Sequence, residues 1–515
     1  MSTETPQARD RNGRTLALVV ALFVVLTLLF TYPISSAPNR YLNELADVRL
    51  NTWMLAWNAH AFITDPLHIF DTNIFFPNKG TLAYSEAFLA PALFVAPLNW
   101  AGYPVLAYNV VLLTSFLLSG VGATLWVRHL TGSLAGGIVA GLIWAFAPGK
   151  FDQLPHLHMM AGQWIPFALL FCSRYVESGR GRYLYATVAF ASLQFAFSMH
   201  YGVFLLPILA LYGTALLLLL PAAGARASLP KLARDVGMAG AVFAVLVVPV
   251  ALPYTGVDYD VELQRDYGEM LRYSARPKSF LSGSPYNRAP HVRWLHNRYH
   301  WVEANYFPGV LPFVLAAVAL FWLLPGALRA ARAAGSARVT ESDRAPPLAT
   351  PRRWVRAGGV TLAAAAFILH VGGFVAAQQH DAAWAGPLME LCRAIHPALW
   401  TAVGATIALL AMSPVTLHKM PRWRVYLIVI GYLTLITYLL AYGPEVRGFG
   451  ALLGRGPYWL LYRFFLPFQG IRAAGRIGLL WILFVAALAG FTVARLERRA
   501  VQGGTGQDQA MRRRA

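Results

Sequence analysis

Acids, histidines and arginines are sparse in this chain, so the few that gather between its apolar runs stand out. Asp47 follows the first apolar run closely, in Leu42-Asn-Glu-Leu-Ala-Asp47-Val-Arg49. A carboxylate there is ionised at neutral pH and can take the proton of a bound hydroxyl, as a general base must. Its plainer reading is a solvated acid paired with Arg49. Glu86, Asp65 and Asp71 share the loop and offer the same chemistry. His156 and His158 stand in Leu-Pro-His-Leu-His-Met. A spacing of two puts them on one side of a strand but about 200° apart on a helix, and zinc asks for three or four ligands. They therefore read as hydrogen-bonding groups, phosphate contacts or packing, and not as shared metal ligands. His200 sits with Tyr201 in a tight hairpin between two apolar runs and borders the same region. Arg472 and Arg476 precede the last run, four residues apart, a spacing that places them on one helix face. The arginine fork grips two phosphate oxygens, and a helix N-terminus adds free N–H groups; contact with lipid head groups is the alternative. Tyr254, Tyr259, Arg265, Tyr267, Arg272, Tyr273 and Arg276 crowd into 255–306 and the residue before it. Aromatic faces and charged forks suit sugar and phosphate, and equally suit a folded polar loop. Tyr273 and Arg276 are the candidates there.

These residues need a scaffold, and composition says which. Of 515 residues, 57% are hydrophobic and 13% charged, about half the roughly 25% of a soluble domain. The apolar runs have the length a helix needs to cross about 30 Å of hydrocarbon, and backbone in lipid must pair within its own segment. The expected fold is all-α: a polytopic transmembrane bundle of about 12 helices with juxtamembrane helices and extracytoplasmic loops. Helices are expected near 15–35, 105–127, 134–149, 159–175, 183–199, 201–221, 236–254, 307–325, 357–377, 395–412, 425–442 and 477–496. The first run follows Arg9, Arg11 and Arg14 as a signal peptide would, but its length and the lack of a clean cleavage site read as a retained helix. The segment 87–101 is short and holds Pro91 and Pro97, so it reads as a helix lying at the surface. Leu50, Trp53, Met54, Trp57 and Ala61 form one apolar stripe at helical spacing.

Charge orients this topology. The expected cytoplasmic segments hold 26 Lys/Arg and 8 Asp/Glu, and the outer segments 17 and 15, which together make the net +20. Basic residues favour the cytoplasmic side, so both termini are expected there, in the cell inner membrane. The basic excess is thereby a topology signal, and nucleic acid is not an expected partner. Three outer segments are long, 36–104, 255–306 and 443–476, and ten of the 13 histidines lie on that side or at its edge. Cys172 and Cys392 fall on opposite faces and should not pair. No GxxxxGK loop, no GxGxxG after a strand and no GxSxG elbow is present. Intramembrane acids and lysines are almost absent, which argues against an ion relay; His370 is an exception that reads as packing.

Four stretches carry a family likeness: the early acid with Asn51-Thr-Trp-Met-Leu-Ala-Trp57; Asn73-Ile-Phe-Phe-Pro77 with Leu82-Ala-Tyr-Ser-Glu86; Gln153-Leu-Pro-His156 through Gln163-Trp-Ile-Pro166; and Leu466-Pro-Phe-Gln-Gly-Ile-Arg472. With these the chain resembles the GT-C superfamily of membrane glycosyltransferases, in particular the bacterial YfhO-like multi-pass members. The likeness covers residues 1 to about 200 and the C-terminal fifth; the middle matches in layout only. It implies three parts: a membrane module over 1–254 with the outer loop 36–104, the extracytoplasmic loop 255–306, and C-terminal helices over 307–515 with the loop 443–476. It also implies transfer of a hexosyl or pentosyl group from a polyprenyl-phosphate donor to a glycan, lipid or protein acceptor in the cell envelope. The acceptor is activated by an acid in the first outer loop and the displacement inverts. Asp47 matches that acid. Val48 follows it in place of a second acid, which leaves a divalent metal open. Asp152 is the candidate second acid, against a helix-end acid paired with Lys150. Glu86, His156, His158, His200, Tyr273, Arg276, Arg472 and Arg476 are the expected substrate contacts. Two other classes stay open: a transporter or flippase of a lipid-linked glycan, and an inactive membrane scaffold.

Overall fold

Proline and glycine decide where the apolar runs become separate helices. In the computed structural model, residues 6–43, 46–220, 224–255, 266–283, 305–322, 349–379, 381–412 and 420–512 are described. Tyr259, Arg265 and most of 324–356 lie outside these residues. The helices are α1 (Pro6–Phe30), α2 (Asp47–Thr64), α3 (Leu89–Trp100), α4 (Pro104–Thr131), α5 (Leu134–Phe146), α6 (Pro148–Phe151), α7 (Leu157–Met160), α8 (Ile165–Ser178), α9 (Gly181–Phe197), α10 (Met199–Leu219), α11 (Leu229–Ala251), α12 (Tyr267–Arg272), α13 (Val310–Phe321), α14 (Ala349–Gln378), α15 (Ala385–Ile395), α16 (Pro397–Leu410), α17 (Arg422–Ala441), α18 (Tyr458–Phe464) and α19 (Ile477–Arg512). Pro104 opens α4 at a position where its missing N–H costs nothing, and Gly132, with φ +74°, closes it in the left-handed conformation. Ser133 and Ser198 cap α5 and α10 by accepting the N–H groups of Gly136 and Tyr201.

Among the described residues, eight helical stretches are long and apolar enough to cross a bilayer: Gly13–Phe30, Pro104–Thr131, Leu134–Phe151, Met199–Leu219, Leu229–Thr255, Val355–Gln378, Arg422–Ala441 and Ala474–Gln502. The pair α15–α16, bent by 51° at His396, makes a ninth if it is one span. The all-α membrane bundle is thus as expected. Three of the twelve expected spans are helical but shorter: α8 has 14 residues, α9 has 17 and α13 has 12. The chain leaves helix after Met160, at Ala161 and Gly162, and regains it at Ile165, so α8 starts late. The 12-residue α3 is likewise too short to cross.

Burial sorts the spans. The apolar window of the last span is 94% buried, against 11% for Leu229–Thr255 and 17% for Gly13–Phe30. The last helix is therefore the hub, packed by α5, α13 and α17, and the poorly covered spans turn Leu18, Leu29, Val245 and Ile368 outward. Water would penalise that surface at about 25 cal/mol per Å²; a bilayer does not. The hub is approached closely through small residues. A Cβ on Gly136 of α5 would sit 2.5 Å from the Gly490 carbonyl oxygen, and the converse holds for Gly490, the small-residue contact typical of membrane helices.

One local feature departs from an all-helical reading. Strands β1 (Glu445–Gly448) and β2 (Ala451–Arg455) form an antiparallel hairpin. Its two-residue turn, Phe449-Gly450, has φ +49° and +87°, the positive values that match strand twist in tight hairpins. Both cysteines are buried and free.

Candidate functional site

The chain between α5 and α8 is irregular, and side chains from four helices satisfy its backbone. Asn51 of α2 donates to the Pro155 carbonyl (3.0 Å) and Tyr108 of α4 to Leu154 (3.3 Å). Tyr201 of α10 donates to Met159 (3.0 Å). Gln194 of α9 donates to Ala161 (2.7 Å) and accepts from the Trp164 N–H (3.2 Å). Buried backbone groups without such partners would cost about 1–3 kcal/mol each. The segment is therefore a fixed platform, and it carries His156 and His158. A second asparagine does the same for Glu86: Asn58 Nδ2 donates to the Ala87 carbonyl at 2.6 Å, and Tyr254 accepts the Ala87 N–H at 2.9 Å. Phe88, next in line, sits at φ +52°, a left-handed backbone that a bulky residue adopts only when its surroundings force it.

On this platform four residues close into a cluster. Glu86, 5% exposed, accepts the N–H of Met199 (2.8 Å) and of His200 (3.1 Å) at the start of α10, and the His200 ring nitrogen Nδ1 lies 2.5 Å from its Oε1. Arg476, also 5% exposed, places Nη1 at 3.1 Å from His158 Nε2 and 3.4 Å from His200 Nε2. Donor logic fixes the protons. A carboxylate only accepts, so His200 carries its hydrogen on Nδ1; a guanidinium only donates, so both Nε2 atoms present lone pairs. Both histidines are thus neutral. Burial, and after it the charge of Arg476, hold His158 well below the ordinary histidine range. Burial alone would push the Glu86 carboxyl up; the hydrogen bond from His200, with the two backbone N–H groups, outweighs it and leaves Glu86 below its ordinary value.

Asp47 adjoins this cluster through the other histidine. It is the first residue of α2, and its Oδ2 lies 3.2 Å from His156 Nε2, the acid side chain 55% exposed and the histidine 19%. His156 Nδ1 lies 3.1 Å from Gln153 Oε1. The His156 and His158 rings are 5.8 Å apart, and those of His158 and His200 5.2 Å. The two histidines have different partners: His156 faces Asp47 and His158 faces Arg476. Asp47 pairs here with His156.

Arg472 forms the other border. Its Nε is 3.3 Å from Glu269 Oε1 and its guanidinium lies 4.8 Å over the Tyr273 ring. The Gly475 N–H donates to the Tyr273 carbonyl (3.1 Å), and a Cβ on Gly475 would stand 2.6 Å from that oxygen. So α12 is clamped to the 472–476 strip, and Tyr273 comes with it. Two expected site residues have other neighbours. Asp152 accepts from Asn305 Nδ2 at 2.8 Å. Arg276 donates to the Leu271 carbonyl at 3.3 Å, and burial together with the charge of Arg447 in the hairpin lowers its pKa. Glu86, an expected substrate contact, holds the start of α10 and orients His200.

Sequence spacing did not single out Asn51, Asn58 or Gln194. The first two had a legible signal: they are seven apart, hence on one face of α2, and that is the buried face. Among the described residues, Glu86, His158 and His200 are the group of metal-ligating types whose donor atoms all lie within 4.8 Å of one another. No family model, no curated protein and no solved structure matches the chain.

Proposed function

We propose that this chain is a membrane glycosyltransferase that uses a polyprenyl-phosphate-linked sugar on the extracytoplasmic face of the inner membrane, with both termini in the cytoplasm. One observation carries the reading. A half-exposed carboxylate, Asp47, pairs with His156, and the buried guanidinium of Arg476 contacts His158, whose ring is 5.8 Å from that of His156; Arg472, held by Glu269 and Tyr273, borders the same cluster. A base and a phosphate grip are the two groups that an inverting sugar transfer from a phosphate carrier uses.

In the reaction, Asp47 takes the acceptor hydroxyl proton as that oxygen attacks the anomeric carbon. The bond from this carbon to the phosphate oxygen breaks on the opposite face, and the phosphate leaves with the electron pair. His156 holds the Asp47 carboxylate in place. Arg472, 41% exposed and stacked on Tyr273, meets the leaving phosphate, and buried Arg476 adds its field from behind. Charge placed where charge develops is worth several kcal/mol in a site shielded from water.

The test is transfer from a panel of radiolabelled polyprenyl-phosphate sugars by protein in lipid, with Asp47→Asn alongside. Transfer by the wild type that the folded variant loses supports the reading. Absence of transfer from every donor overturns it. The bent α15–α16 pair favours a second reading, a transporter of a lipid-linked glycan, because discontinuous helices mark transporter sites. Movement of a labelled lipid-linked glycan across vesicles, unaffected by Asp47→Asn, would establish it.

A further inference from the structure

The donor set Glu86, His158 and His200 has the composition of a divalent-cation site: two imidazoles and a carboxylate, as in many zinc enzymes. The hydrogen-bond pattern says how the site is used. In a metal centre, the histidines would direct a lone pair at the ion and one would pass its other N–H to a carboxylate, which orients the ring. Every part of that arrangement is present. His200 Nδ1 faces Glu86 at 2.5 Å, and the Nε2 atoms of His158 and His200 converge on one point. At that point stands Arg476 Nη1, whose two N–H bonds match the two lone pairs one for one.

We propose that Arg476 is the resident cation of this cluster, and that the cluster is a metal centre in layout whose ion has been replaced by a guanidinium. The residues as they stand do not fit a divalent metal. Charge gives the reason. Glu86 as carboxylate and Arg476 as guanidinium sum to zero around two neutral imidazoles, which suits a site where both ions are about 95% covered. A divalent ion added to it would leave two uncompensated positive charges beside the guanidinium, in a medium where isolated charge is expensive. Without Arg476, the same shell would carry one negative charge and two bare imidazole nitrogens, which supply two of the four positions around zinc and leave water to fill the others. The inference stands apart from the glycosyltransferase reading, because it concerns what the cluster binds whatever the substrate is.

The experiment uses full-length protein in detergent, with an affinity tag that contains no histidine, and Zn²⁺ as the probe. Bound zinc is counted by elemental analysis after exhaustive dialysis against a weak chelator, and the thermal midpoint is read with and without zinc. Wild type is expected to retain less than one tenth of an equivalent and to show no zinc-dependent shift. Arg476→Ala is expected to retain about one equivalent and to gain thermal stability from zinc. The double variants Arg476→Ala/His158→Ala and Arg476→Ala/His200→Ala are expected to lose that zinc at least tenfold. Arg476→Met, which keeps the side-chain volume, is carried in parallel in case the alanine variant does not fold. One equivalent of zinc on the wild type, lost with His200→Ala, would overturn the proposal, because the guanidinium would then not exclude the ion. Folded Arg476→Ala and Arg476→Met proteins that both remain zinc-free would overturn it as well, because the shell would then not be a cation shell.

Discussion

Glu86→Gln tests the proton assignment on which the cluster rests. The glutamine is isosteric, so packing is kept and only the hydrogen-bond code changes. Glu86 accepts the Met199 N–H on Oε2 at 2.8 Å and the His200 N–H on Oε1 at 3.1 Å. The single carbonyl oxygen of glutamine therefore keeps one of these bonds, and the amide NH2 meets the other N–H. On the Oε2 side the amide faces the Met199 N–H. On the Oε1 side it also faces His200 Nδ1, where the carboxylate stood at 2.5 Å, and N–H groups meet. If His200 moves its hydrogen to Nε2 to relieve this, the conflict passes to Arg476 Nη1, 3.4 Å away on the other side. Either way one charge-assisted bond is lost and the buried guanidinium loses its compensating charge. Removing one member of a buried ionic arrangement costs about 3–5 kcal/mol. With an unfolding entropy of about 2.1 cal/mol/K per residue, a cooperative 515-residue chain loses about 1 °C per kcal/mol, so the midpoint should fall by about 3–5 °C. Tryptophan fluorescence during heating in detergent reads this, and ¹⁵N NMR of histidine-labelled protein reads the tautomer. A midpoint within 1 °C of wild type, with His200 still protonated on Nδ1, would refute the assignment.

Other consequences are direct. His158 resists protonation in the folded protein, while the unfolded chain takes a proton near the ordinary value of 6.5. The unfolded state therefore binds more protons below that pH, and stability should drop as pH falls through 6.5, by at most about 1.4 kcal/mol per unit; His158→Asn should flatten that limb of the melting profile. Gly490→Leu places carbon where the Gly136 carbonyl oxygen already stands at 2.5 Å; a loss of about 3 kcal/mol or more, by overpacking, is expected in chemical denaturation. Asn58→Ala strands the Ala87 carbonyl and should cost about 1–3 kcal/mol, with the Glu86 strip gaining hydrogen exchange before the rest of α2. Lys150 is fully buried, donates to Ser119 at 3.3 Å and lies 4.4 Å from the Trp144 ring. Lys150→Met should be neutral or stabilising, since an apolar side chain of similar length removes a fully buried amino group; a loss above about 2 kcal/mol would mean that the amino group does more than fill space.

The helical membrane fold was legible because it rests on summed properties. A run such as Leu479 to Leu488 has no other stable home than a helix shielded from water, and Pro104 and Gly132 mark their helix ends locally. The irregular platform was less legible, because propensity along 147–164 is overruled by contacts from afar. Only the fold tells that Gln194, 33 residues on, accepts and donates where α8 would otherwise have begun. Helix length departs from expectation for a related reason: α9 is apolar, yet stops at 17 residues where Ser198 caps the next helix.

The histidine pair shows how far spacing reasoning reaches. An i, i+2 pair at a helix start diverges, so one metal between His156 and His158 is disfavoured from sequence alone. Divergence has a second consequence, which only the fold makes visible: the two rings can serve two separate charges while staying 5.8 Å apart. His156 turns to the exposed carboxylate of Asp47 and His158 to the buried guanidinium of Arg476. The dipeptide step thus sets the distance between the Asp47 carboxylate and the Arg476 guanidinium, with no motion required of either. If that is its role, inserting one alanine between His156 and His158 should leave both histidines present and the helices intact. It should nevertheless uncouple Asp47 from the cluster and abolish transfer in the donor assay. Retained transfer by that folded insertion variant would separate the two halves of the site and remove the link on which the mechanism depends.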